Sequence, residues 1–240
     1  MDGGATSEYG IAHVDNKVPI PTGLSVIDAA GFTIAGLAAY QSILPYSKRG
    51  TRVLLNGGSG GVGSFGIRIA KAEGRHVTVI CSTVNALHFK ALDADEVIDY
   101  KTQDVLQTLK DLPFKYDLVV DYVGNNHNLF WEADAYTSPD AKFVTVAASH
   151  NLSFVRFIIA AEYMPRFLSG AKRQHLTVFA TPDRESLAQI AEWMVEGKVI
   201  QVVDSKYKFE DLTEAYRRLK TGRARGKVIL VVVPEGEHGA

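Results

Sequence analysis

The chain has 240 residues, with 26 Lys and Arg against 27 Asp and Glu, a net charge of −1, and 46% hydrophobic residues. That apolar content excludes a disordered acidic or basic tail, and the balanced charge, with no Lys/Arg block, argues against nucleic acid as the main partner. The one cysteine, Cys81, can form neither an internal disulfide nor a four-cysteine zinc site.

The length admits one large or two modest domains. The first residues, Met1 to Glu8, carry no basic or apolar leader, so no secretory signal is expected. The apolar stretch 29–44 is shorter than a spanning helix needs and contains Gln41. The stretch 154–168 is interrupted by Arg156, Glu162, Pro165 and Arg166 and reads as amphipathic. A soluble chain without a membrane partner is expected, cytoplasmic, with a mitochondrial location left open.

In chain order, residues 1–23 read as loop or strand remnant. Ser25 can cap a helix over 26–44, followed by Pro45. Residues 53–55 are a short apolar strand, then come a glycine cluster and a helix over 62–73 that Gly74 ends. A β-branched strand follows at 76–81, a helix at 84–92, a short strand at 97–98, a helix at 102–109, a strand at 116–121, a helix at 128–136 and a strand at 143–146. After the amphipathic segment come a strand at 176–179, a helix at 186–196, a helix at 209–219 and a buried closing strand at 227–233. Leu187, Ile190, Ala191 and Met194 stand at helical spacing in the first of these helices. Apolar strands alternating with helices predict an α/β fold, a doubly wound Rossmann parallel sheet of about six strands covered on both faces.

The glycine cluster is the most informative motif. Gly58, Gly60 and Gly63 satisfy G-x-G-x-x-G between a predicted strand and a predicted helix. Glycines there permit a tight turn, close approach of a pyrophosphate, and close helix–strand packing, while the helix N-terminus offers free N–H groups to the anion. An NAD site would place Asp or Glu at the end of the second strand to hold the ribose 2′-OH. Here that strand ends Ile80-Cys81-Ser82-Thr83. Hydroxyls suit a 2′-phosphate, which favours NADP(H), although Ser82 and Thr83 would equally serve as helix caps. Cys81 reads as a packed small hydrophobe and the histidines show no metal-ligand spacing, so no metal site is expected. Asp121 could orient a ligand or cap its own loop. Tyr40 reads as a packing residue, as does Tyr100 unless a ligand lies beside it.

Several segments in order resemble one family. Leu54-Leu55-Asn56-Gly57-Gly58-Ser59-Gly60-Gly61-Val62-Gly63 looks like the cofactor loop of the medium-chain dehydrogenases/reductases, in their zinc-independent, quinone-oxidoreductase-like branch. Ala94-Asp95-Glu96-Val97-Ile98-Asp99-Tyr100, Asp117-Leu118-Val119-Val120-Asp121-Tyr122-Val123-Gly124 and Gly226-Lys227-Val228-Ile229-Leu230 resemble later stretches of that branch, so the likeness covers residues 8–233. It implies a pyrophosphate over Ser59, Gly60, Gly61 and Val62, and a 2′-phosphate near Ser82, Thr83 and Tyr100. Val123 and Gly124 would lie beside the nicotinamide ribose, Phe179 near the nicotinamide, and Lys227 would help hold the cofactor. It also implies hydride transfer to a quinone or enone and a homodimer through the edge strand at 175–180. The chain departs from the family pattern at Ala38, where Thr is usual, and at Asp93, where Gly is usual. The expected division is a remnant of a GroES-like catalytic domain at 1–24, a nucleotide-binding domain at 25–233 and a tail at 234–240.

No general acid can be named from the residues. Three functions fit: an NADPH-dependent reductase of quinones or α,β-unsaturated carbonyls, a cofactor-binding module without catalysis, or an enoyl reductase acting on carrier-bound acyl chains.

Overall fold

The computed structural model describes residues 6–7, 10, 13, 17–58, 60–82, 92–146, 152–164 and 172–232. The helix expected at 84–92 falls almost wholly outside them. Six strands pair in parallel in the order β3-β2-β1-β4-β5-β6: β1 Arg52–Asn56, β2 His76–Cys81, β3 Glu96–Asp99, β4 Tyr116–Asp121, β5 Thr137–Val146 and β6 Gln174–Val178. Val53 and Leu55 face one side of the sheet, Leu54 the other, and all three are fully buried. Two buried faces explain why these strands are apolar throughout instead of alternating.

Helices α1 Val26–Ile43, α2 Gly61–Ala72, α3 Val105–Asp111, α4 Asn128–Trp131, α5 Leu152–Tyr163, α6 Arg184–Val195 and α7 Leu212–Lys220 surround the strands. The Ser25 side chain caps α1 by accepting from the Asp28 N–H at 3.0 Å. Phe32, Ala35 and Ala39 of α1 pack with Phe65 and Ile69 of α2 and with Ile190 and Trp193 of α6. A 3₁₀ turn extends the helical stretch to Val26–Tyr46, 21 residues, so by length and composition it could cross a membrane, contrary to the reading of 29–44 as too short. In this fold it is a core helix between α2 and α6. Gly74 ends the α2 segment at φ +70°, as expected.

Four elements differ from expectation. The helix expected at 128–136 is α4 followed by a 3₁₀ turn, Ala133–Ala135. β5 starts at Thr137, well before residue 143, and shifts register across Ser138-Pro139-Asp140, where Pro139 has no N–H to donate. The closing strand, β8 Lys227–Val231, is outside the six-stranded sheet. It pairs in parallel with β7 Val203–Lys208, and only Ile229 of its residues is buried. β7 was not expected, because its half-exposed, largely polar sequence lacks an apolar run.

Candidate cofactor site

The expected site residues gather at the carboxyl ends of the parallel strands, where β1 and β4 lie side by side. There the chain leaves β1 toward β2 on one side and β4 toward β5 on the other, and ligands of open α/β sheets bind in such a crevice. The turn after β1 is pinned from both neighbours. Gly57 N–H donates to the Ile80 carbonyl at 3.3 Å, and Tyr122 N–H donates to the Asn56 carbonyl at 3.0 Å. Gly57 sits at φ +91°, and a Cβ there would lie 2.3 Å from Val123 Cγ2. A Cβ on Gly63 would lie 2.5 Å from both the Gly57 oxygen and Gly58 Cα, so its absence lets α2 close on the turn. Gly60 is different: among the described residues, its chain neighbours aside, a Cβ there meets nothing within 4 Å, so none of them fills the space above it. Ser59 lies outside the described residues.

Gly60 is the N-cap of α2 and supplies no side-chain acceptor, so the first-turn N–H groups of Gly61 and Val62 remain available to an anion. Lys227 lies directly over them. Gly60 bridges in parallel to Gly226, and a Cβ on Gly61 would lie 2.6 Å from Lys227 Cδ. Gly226, at φ +108°, has no room for a side chain against the Val202 carbonyl, 2.2 Å from its Cβ position. This contact fixes how Lys227 enters. Burial pulls the Lys227 pKa below its ordinary 10.5, and among the described residues no carboxylate is paired with it. A desolvated ammonium beside an uncapped helix N-terminus has the charge and the geometry to receive an anion.

At the end of β2, Ser82 follows Cys81, whose carbonyl accepts from the Tyr100 N–H at 3.0 Å. Ser82 and Tyr100 are therefore neighbours across adjacent strand ends. Tyr100 is 52% exposed, and Lys101 Nζ stands 5.4 Å from its ring centroid. Lys101 was not singled out from sequence, although a cation beside Tyr100 was a signal available there. The nearby carboxylate is Asp99, in register with Cys81, and its Oδ1 accepts from the Lys101 N–H at 2.9 Å. Cys81 is buried, as a packed hydrophobe should be. Burial and the Asp99 charge push its thiol up to about 12, far from a nucleophile or ligand thiolate. Thr83 lies outside the described residues.

After β4, the buried Asp121 caps its own loop. Its Oδ1 accepts from Asn56 Nδ2 at 2.8 Å, Val123 N at 2.9 Å and Gly124 N at 3.0 Å. Burial raises its pKa against these three bonds. The carboxylate thus ties the β1 end to the loop carrying Val123 and Gly124, a linkage sequence reasoning left open. Gly124 has φ +66°, and its Cβ position lies 2.7 Å from Phe154 of α5. Phe179 follows the edge strand β6 and is 68% exposed. Its segment is held to α1 by Gln41, whose Nε2 donates to the Thr181 carbonyl at 2.9 Å and whose Oε1 accepts from Thr181 N at 3.0 Å. The fold therefore joins Gly60, Gly61, Val62 and Lys227 in one group, Ser82 and Tyr100 in a second, and Val123 against Gly57, with Gly124 next to it held by Asp121. Phe179 stands apart, two strands beyond β4 at the same end of the sheet. Tyr40 packs on Trp193 at 6.0 Å, as expected.

A zinc-binding dehydrogenase family model matches residues 92–230. The chain is 42% identical over 234 residues to the trans-enoyl reductase pgmF of Aspergillus terreus, covering 95% of this chain and 65% of that protein. It is 30% identical over 236 residues to the chloroplastic quinone-oxidoreductase QR1 of Triphysaria versicolor, covering 95% of this chain and 69% of that protein. The quinone oxidoreductase of Coxiella burnetii has the same fold, with a TM-score of 0.76 at 26% identity over 90% of this chain and 64% of that one. The chain thus spans about two thirds of the relatives it matches. Despite the family's description, no three His, Cys, Asp or Glu side chains come together as a metal site among the described residues. The match across more than half its length places the chain in the zinc-binding dehydrogenase family, as a medium-chain dehydrogenase/reductase of the quinone-oxidoreductase-like kind.

Proposed function

We propose that this chain binds NADP(H) and serves a zinc-independent reduction of a quinone or an α,β-unsaturated carbonyl. The observation that carries the reading is the unneutralised Lys227 ammonium over the uncapped N-terminus of α2, beside the open space at Gly60. The pyrophosphate would sit on Gly60, Gly61, Val62 and the adjoining Ser59, with Lys227 opposite. Ser82, Tyr100 and Lys101 would receive the 2′-phosphate, with Thr83 next in the chain, since a strand-end carboxylate that would repel it is absent at position 82. Val123 and Gly124, held by Asp121, would border the nicotinamide ribose, and Phe179 would approach the ring. When bound, the cofactor supplies the hydride. The chain's own residues would fix its position.

Hydride transfer needs the acceptor carbon held about 3–3.5 Å from the donor carbon. The named activities of the enoyl reductase and quinone oxidoreductase relatives support an enone or quinone there. A cofactor-binding module without turnover is the second reading, because the residues gathered at the crevice are those expected to hold the cofactor and no general acid is identified among them. A homodimer through β6 is supported by its place as the last strand of the sheet, with one edge left for pairing. Nicotinamide fluorescence during an NADPH titration, followed by absorbance decay after adding a quinone or enone, separates the readings. Binding with turnover supports the reductase, binding alone supports the module, and no binding contradicts both.

A further inference from the structure

One buried titratable side chain takes no part in the cofactor site. His175, on the edge strand β6, has its side chain wholly buried in a box of three rings. Phe143 of β5 stacks on it with centroids 6.0 Å apart, and Phe130 of α4 and Phe157 of α5 meet it edge-on at 5.1 and 5.3 Å. Its Nε2 lies 2.9 Å from the Thr145 hydroxyl of β5. On the other side, Glu162 of α5 brings Oε1 to 3.4 Å from Nδ1 without a hydrogen bond, and that same oxygen accepts from the Thr177 hydroxyl of β6. Among the described residues Glu162 is the only ionisable side chain that faces the ring. A hydroxyl, an imidazole and a carboxylate in this order can form a hydrolytic relay, but Thr145 is fully buried, so no substrate reaches it.

The box makes a second proton on the ring costly. With a carboxylate oxygen beside Nδ1, the first proton belongs on Nδ1, and Nε2 accepts from Thr145. A second proton would go on Nε2. The Thr145 hydroxyl, which has no other hydrogen-bond partner among the described residues, would then have to turn its hydrogen away. Burial accordingly holds the His175 pKa below its ordinary 6.5, with the Glu162 charge offsetting only part of the lost hydration.

Helix α5 is the element that can relieve this. Of its twelve residues only Phe154 and Phe157 are buried, while Leu152, Val155, Ile159 and Tyr163 are exposed, so little holds it to the sheet. Its release would carry Phe157 and Glu162 away and open the ring to water. Phe154 is also the residue 2.7 Å from the Cβ position of Gly124, whose N–H donates to Asp121.

We propose that His175 is a proton-operated latch for α5: with a neutral ring the helix is seated on β6, and a proton on the ring favours its release, which loosens the loop at Gly124. Any effect on cofactor binding rests on the reading of that loop as a cofactor contact; the latch itself does not.

A seated state that takes up its proton less readily than the released state loses stability as pH falls below 6.5. Asp121 shifts the other way, because a carboxyl whose pKa burial raises gains stability as pH falls. Hydrogen exchange of the amides of residues 152–163, corrected for intrinsic rates, measures the seat in the 240-residue chain. Between about pH 7.5 and about pH 5.5 their protection should fall by up to about tenfold, with most of the change below 6.5. The Gly124 N–H should lose protection in step. His175→Gln, which cannot titrate, should remove the fall at both places. Glu162→Gln keeps the ring and removes the carboxylate that favours its charge, so the fall should be at least as large. His127→Gln, on the far side of Phe157, should leave it. No fall in the wild type, a fall that survives H175Q, or one that disappears in E162Q or H127Q overturns the latch. A fall in α5 beside constant protection at Gly124 overturns its link to the loop. Failure of NADPH to bind, beside an intact fall that H175Q removes, ends the cofactor reading and keeps the latch.

Discussion

Replacing Lys227 with Met separates the two contributions of this side chain. Methionine keeps an unbranched stem where the lysine Cδ covers Gly61, and removes the charge. In the free protein that charge is a liability, because burial disfavours it and no carboxylate of the described residues offsets it. K227M should therefore be at least as stable as the wild type. Its cofactor affinity should move the other way. A hydrogen bond to a charged group contributes about 1.5–3 kcal/mol, so the dissociation constant for NADPH should rise about 10- to 150-fold. Stability against pH provides an internal check. A lysine whose folded pKa lies below 10.5 stays protonated in the unfolded chain after it has lost its proton in the folded one, so wild-type stability should rise with pH between those two values. K227M should lack that rise. Chemical denaturation across alkaline pH and fluorescence titration with NADPH measure the two effects. A variant that loses stability while binding NADPH unchanged would refute a ligand role for Lys227 and make it a packing residue.

Other substitutions test the surrounding residues. Gly60→Val should lower the denaturation midpoint only by the cost of a poorer N-cap, about 1 kcal/mol, since its Cβ meets no atom of the described residues within 4 Å, yet weaken NADPH in a binding assay. Gly63→Ala should do the reverse first, costing about 1–3 kcal/mol in denaturation because its Cβ would lie 2.5 Å from backbone atoms that cannot swing away. Ser82→Asp should weaken NADPH more than NADH in parallel titrations, and equal losses would remove the case for a 2′-phosphate there. Asp121→Ala should destabilise the chain by about 3 kcal/mol or more in urea unfolding, since it leaves Asn56 Nδ2 and the Val123 and Gly124 N–H groups without their acceptor.

The sheet was legible because Val53, Leu54 and Leu55, or Leu118, Val119 and Val120, are apolar on both faces, a pattern that parallel strands between helices impose. β7 was not, because Val203–Lys208 mixes polar and apolar residues and is recognisable only by its partner β8. The glycine turn was legible as a motif, but the reason for each glycine was not. Gly57 bears the positive φ and the close contact with Val123, whereas Gly60 has no steric need against the described residues. Lys227 entered by resemblance to a family. What gives it physical weight, the absence of a counter-charge among the described residues and its place over Gly61, depends on β8 returning to the start of α2, which no local pattern encodes. Asp121 could be read either as a ligand contact or as a cap, and its three hydrogen bonds show the cap.

The most direct test of the central claim maps the cofactor onto backbone N–H groups. In the amide spectrum of the labelled chain, adding NADPH should shift Gly60, Gly61, Val62 and Lys227 most strongly, with Ser82 and Tyr100 shifting more for NADPH than for NADH. Shifts that spare the Gly60 to Gly63 turn and Lys227 while NADPH still binds would contradict the account.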